Sequence, residues 1–144
     1  MMERAEILVP IAVLVAWSLV MMVWMVLSRF AAMKAKGISL KGRIGGKPGI
    51  LDGVVEDQAQ WKAHNYIHLM EQPTLFYAIG LTLALAGAGD GLNAMLAWAY
   101  VGLRIVHSLI QAIVNIILYR FVFFMLSSVV LIAMTVQALI ALIG

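Results

Sequence analysis

Two stretches of the chain run the thickness of a bilayer without a single charge: Ile7 to Leu27, 21 residues, and Phe121 to Ile143, 23 residues. At about 1.5 Å per residue either one, as a helix, crosses a hydrocarbon core of roughly 30 Å. The first ends in Ser28-Arg29-Phe30 and a basic segment rather than a small-residue cleavage site, so it reads as a retained span and not a secretory signal. Between the two lie less regular spans. One, at about 57–88, has a polar first half with Trp61, His64, Asn65, His68, Glu71 and Gln72, and an apolar second half from Thr74 to Ala88. The other, at about 91–118, is apolar to Leu103 and then carries Arg104, His107, Ser108, Gln111 and Asn115. Gly87-Ala88-Gly89-Asp90-Gly91 separates them as a tight turn. The pattern predicts an all-α chain: one transmembrane domain over 1–144, an integral membrane four-helix antiparallel bundle with helices at about 5–33, 57–88, 91–118 and 119–143.

Composition excludes a soluble globular protein. The chain is 64% apolar and 12% charged, against about 45–50% and about 25% in an average soluble domain. It has no cysteine, which rules out disulfides, thiolate metal sites and a Cys nucleophile, so thiol chemistry would need a thiol carried by a ligand. Seven of the ten basic residues, Arg29, Lys34, Lys36, Lys41, Arg43, Lys47 and Lys62, lie in or beside the only long loop, 31–56, whose turn formers include Gly37, Gly45 and Pro48. By the positive-inside rule that loop is cytoplasmic, as is the connection near Tyr119-Arg120, while both termini and the 87–91 turn are on the other side. Juxtamembrane cations of this kind set topology, so nucleic-acid binding is not expected despite the net charge of +3.

The informative residues are the ionisable ones inside spans, where a charge near the bilayer centre costs at least about 2.5–3.5 kcal/mol. At about 100° per residue, His64, His68 and Glu71 share one face of the second helix, and Arg104, Gln111 and Asn115 share one face of the third, with His107 beside it. Pro73 predicts a kink next to Glu71 that frees the Leu69 carbonyl. Arg120 opens the fourth helix on the same side. The plain reading makes Glu71 and Arg104 a structural ion pair and the histidines interfacial hydrogen-bond donors. Arg104 and Arg120 against a single Glu71 nevertheless exceed what internal pairing needs, and the surplus points to an anionic ligand. His64-x-x-x-His68-x-x-Glu71 also has metal-ligand spacing. Membrane di-iron enzymes use more histidines than this chain has, however, and one His pair on a single turn cannot supply both axial haem ligands, so no metal is expected.

The stretch Ala63-His64-Asn65-Tyr66-Ile67-His68-Leu69-Met70-Glu71-Gln72-Pro73, Arg104-x-x-His107 and Arg120 resemble the MAPEG family (membrane-associated proteins in eicosanoid and glutathione metabolism), in a bacterial-type member. The resemblance covers nearly the whole chain and implies a homotrimer with glutathione in a cytoplasm-facing cleft between neighbouring subunits. It implies Arg120 as the catalytic residue that stabilises the thiolate, Arg104 on a glutathione carboxylate, Glu71 on the amine, and His107 at a ligand-contacting position. His64, His68 and Gln111 stand at further substrate-binding positions, where the eicosanoid enzymes carry Arg, Asn and Tyr, and Phe121 replaces a hydroxyl residue of the prostaglandin-forming member. The implied activity is that of a glutathione-dependent transferase or peroxidase. A lipophilic electrophile or hydroperoxide would enter from lipid against Phe121, Phe124 and Met125. The family also contains a non-catalytic lipid-binding member, so a lipid-binding or scaffold protein of the same fold is the alternative. The implied setting is a bacterial inner membrane, crossed several times, with the site facing the cytoplasm.

Overall fold

The computed structural model describes residues 5–47 and 49–144, so Pro48 lies outside the described residues. Five helices follow in order: α1 (Leu8–Ala35), α2 (Asp57–Met70), α3 (Gln72–Leu85), α4 (Leu92–Ile113) and α5 (Ile117–Ile143). Steps of three, four and seven residues select the buried face of each. α1 buries Leu14, Ser18 and Met21, and α5 buries Ser127, Leu131, Met134 and Ala138. Leu69, Phe76 and Leu83 keep a seven-residue interval straight through the junction of α2 and α3, so the two pieces present one continuous inner face. Such spacing suits helices that cross at a shallow angle of about 20°. At the centre Phe76 stacks on Tyr100, with ring centroids 4.4 Å apart and planes 12° from parallel.

The chain is a membrane protein, a bundle of four helical members whose second is divided into α2 and α3. By length and composition α1, α4 and α5 can each cross a bilayer. α3 has 14 residues; at about 21 Å it is shorter than a hydrocarbon core of roughly 30 Å, and the adjoining end of α2 must complete the span.

Contacts at the two ends fix the antiparallel order. At one end Ile7 N donates to Gly89 O (2.9 Å), Glu6 N to Asp90 Oδ1 (2.7 Å) and Gly91 N to Glu6 Oε2 (3.2 Å), joining the start of α1 to the α3–α4 turn. At the other, the basic loop folds onto the end of α1 through a small apolar cluster of Met33, Leu51 and Val55. There Gln60 Nε2 donates to Asp52 Oδ1 (2.6 Å), and Arg29 Nε donates to Gln60 Oε1 (3.4 Å). Gly80 lets α3 approach α1: a Cβ at that position would lie 2.6 Å from Ile11 Cδ1.

Two expectations need correction. The second helix is broken rather than kinked, at Glu71 (φ −87°, ψ −97°), with Pro73 in the first turn of the new helix, where its missing N–H costs nothing. The third helix stops at Ile113 instead of continuing to 118. Asn115, expected on its polar face, adopts φ 52° beyond the C-cap residue Val114 and donates its N–H to Ile110 O (2.6 Å). Asn tolerates this left-handed conformation, which turns the chain into α5.

Candidate functional site

α4 supplies the polar wall. Arg104, His107, Ser108 and Gln111 fall at i, i+3, i+4 and i+7, and all four are buried in the bundle. Ser108 ties three helices together: Asn65 Nδ2 donates to its Oγ at 2.7 Å and Trp17 Nε1 at 3.1 Å. Arg104, fully enclosed, donates from Nη2 to His68 O at 3.1 Å. The break at Glu71 therefore has a partner, and the carbonyl it uses is His68's, one residue before the Leu69 carbonyl that the proline pointed to. The His68 ring meets His107 edge-on with centroids 5.8 Å apart. Glu71 does not pair with Arg104. Its Oε2 lies 3.4 Å from His68 Nδ1 and its side chain is 60% exposed.

The break is held from its far side by Gln72. Its Nε2 donates to Ser128 Oγ at 2.7 Å, while its Oε1 accepts from Tyr100 OH (3.2 Å) and Ser127 Oγ (3.3 Å). A half-buried amide bonded to two helices, with both acceptor positions of its oxygen filled, fixes the register of α3 against α4 and α5. Sequence reasoning missed this role. The available signal was a glutamine next to Glu71 at the level of two adjacent serines in a largely apolar helix.

Arg120 stands in the first turn of α5 and donates from Nη1 to Asn115 Oδ1 at 2.6 Å. The bond closes the α4–α5 corner and was likewise not anticipated. His64 is drawn elsewhere: its Nε2 lies 3.2 Å from Asp52 Oδ1, so it faces the basic loop. The structure thus gathers His68, Glu71, Arg104 and His107 at the α2–α3 break, sets Gln111 one helical turn further along α4 and Arg120 at the corner, and turns His64 away. Among the described residues no three His, Asp or Glu side chains converge as metal ligands.

What this arrangement leaves unpaired defines its chemistry. Arg104 Nε and Nη1, His107 Nδ1, Gln111 Oε1 and Arg120 Nε are buried without a hydrogen-bond partner, five of the eight such side-chain atoms among the described residues. A buried polar group without a partner costs about 1–3 kcal/mol, and more if charged. Three of these five atoms are cationic donors, which an anionic or carboxylate-bearing molecule would satisfy.

Neither a curated protein nor a solved structure matches the chain. A family model does: that of the MAPEG family, over residues 7–140. With nearly its whole length matched, and with the divided four-member bundle and the α4 stripe in place, the chain belongs to the MAPEG family.

Proposed function

We propose that the chain is a glutathione-dependent transferase or peroxidase that acts on a lipophilic electrophile or hydroperoxide, at a cytoplasm-facing cleft shared between the copies of a homotrimer. The observation that carries this reading is the set of unpartnered donors on Arg104 and Arg120, opposed by one carboxylate, Glu71, that engages neither. Glutathione offers two carboxylates, an amine and a thiol, and supplies the nucleophile or the reductant. The exposed Glu71 carboxylate receives the amine. Arg104 holds the His68 carbonyl and has two donors to spare, and a carboxylate reaches them when side chains at the Glu71 break part. Arg120, in the first turn of α5, stabilises negative charge on sulfur. Conjugation forms a sulfur–carbon bond as the leaving group departs with the bonding pair. In hydroperoxide reduction two thiols give up two electrons and two protons, and the products are alcohol, water and disulfide. Phe121 and Met125, exposed on α5, offer the apolar surface a lipid-borne substrate needs.

One observation favours the non-catalytic alternative, a lipid-binding protein of the same fold: Asn115 already occupies Arg120 Nη1 at 2.6 Å. Titrating the purified protein with glutathione, with turnover measured on a chloronitrobenzene and a lipid hydroperoxide, separates the two. Saturable binding with thiol-dependent turnover is the expected result. Co-purified lipid without glutathione binding would transfer the assignment to the alternative.

A further inference from the structure

A cavity of about 750 Å³ lies between the basic end of α1, the first half of α2 and the loop. Of the candidate site residues only His64 borders it, so it is separate from the Arg104 cluster. Its walls are largely apolar, with Met25 and Phe30 from α1, Ile67 from α2, and Ile38, Leu40 and Ile50 from the loop. Its charged lining has one sign. Arg29, Arg43 and Lys47 border it, and among the described residues no carboxylate does. Asp52, hydrogen-bonded to Gln60 and His64, lies outside the lining, and its single negative charge leaves the three cations in excess.

The level in the membrane matters as much as the composition. From Leu8 to Arg29 the helix rises about 32 Å, the thickness of a hydrocarbon core, so Arg29 stands where acyl chains give way to headgroups. Arg29 spends only a long bond through Nε on Gln60, which leaves the terminal nitrogens of its guanidinium for another acceptor. Beside the cations the loop exposes Leu40 at 58% and Ile44 at 99%, apolar side chains that the bilayer interface accommodates better than water. A small soluble anion would have no use for the apolar wall, and a neutral lipid would have none for three cations bordering one cavity. A molecule with a phosphate at one end and hydrocarbon at the other uses both.

We infer that this cavity is a binding site for an anionic phospholipid, with the phosphate among Arg29, Arg43 and Lys47 and the upper acyl chain along Met25, Phe30 and Ile67. Such a lipid joins the loop to α1 and α2 from the membrane side. The inference stands independently of any glutathione chemistry.

Native mass spectrometry of the full chain, purified in a neutral detergent and titrated with dioleoylphosphatidylglycerol, tests it. One lipid per protomer is expected to be retained at least tenfold better than dioleoylphosphatidylcholine. Replacing Arg43 and Lys47 together by Ala, both exposed loop residues, should lower retention at least tenfold. Ile67→Trp, which fills the cavity without touching its charge, should lower it as well. Replacing Lys34 and Lys36 by Ala removes two cations on the same side of the membrane but outside the cavity, and should leave retention unchanged; circular dichroism establishes that each variant is folded. Equal losses from the two basic pairs would overturn the inference in favour of diffuse surface attraction. Equal retention of phosphatidylcholine would overturn headgroup recognition, and displacement by glycerol phosphate at comparable concentration would make this a site for a soluble anion.

Discussion

Arg104 and Arg120 carry the same charge in different settings, and the difference decides what each can do. Arg104 is enclosed and anchors the His68 carbonyl, whereas Arg120 is partly exposed and tied to a single side chain, Asn115. Arg120→Ala should therefore lower turnover with glutathione affinity nearly intact, because it removes an interaction that grows as charge develops on sulfur. Arg104→Ala should weaken glutathione binding instead, by roughly tenfold to a hundredfold if one charge-assisted hydrogen bond of about 1.5–3 kcal/mol is lost. Parallel isothermal titration and steady-state kinetics read the two effects. Because Arg104 also supports the helix break, oligomer mass and thermal stability of its variant must match the parent before the affinity is interpreted. Glu71 is the better control for electrostatics: exposed and bonded only to His68, it should accept Gln without unfolding the bundle.

At the level of helices, legibility followed chemistry that is local in sequence. α1 and α5 were readable as charge-free runs, and the α4 stripe as a helical period. The corner after Ile113 was not, since Val114-Asn115-Ile116-Ile117-Leu118 continues an apolar pattern and only the asparagine hinted at a left-handed residue. The diversion of His64 was invisible for another reason. Its partner Asp52 lies 12 residues earlier in a glycine-rich loop whose path is set by packing on Met33. The contact between His64 and Asp52 predicts a pH dependence for the loop. The hydrogen bond from Gln60, reinforced by His64, holds the Asp52 carboxyl below the usual carboxylate range. A depressed native pKa contributes stability above the unfolded value of about 3.9, and the contribution disappears as the pH falls through the native value. Amide hydrogen exchange over 49–55, corrected for intrinsic rates, should be protected at neutral pH and lose protection only in acid below the usual carboxylate pKa; Asp52→Asn should abolish the transition. Packing between α1 and α3 offers a second check. Gly80→Val must displace Ile11 and should cost about 1–3 kcal/mol, seen as a lower melting temperature in detergent.

For the molecule as a whole, the absence of cysteine allows orientation to be mapped directly. Cys in place of Lys41 should be shielded from an impermeant maleimide in intact cells, and Cys in place of Leu92, exposed at the start of α4, should react. Gly89 is unsuitable for the second label because a Cβ there would lie 2.8 Å from Ala5 Cβ. The opposite labelling pattern would place the Arg104 site on the far side of the membrane. Light scattering with detergent correction should return three copies, and a monomer would remove the shared cleft. The knot of Glu6, Asp90 and Gly91 has a mechanical meaning for all of this. It cinches α1 to the head of α4 at one tip of the bundle, while the joints at Glu71 and at Val114–Ile116 both lie toward the other. The protomer is thus lashed by backbone contacts where its helices run unbroken, and by side chains alone where they are jointed, so the end that carries the loop and the arginines is the one whose fastenings a point mutation can undo.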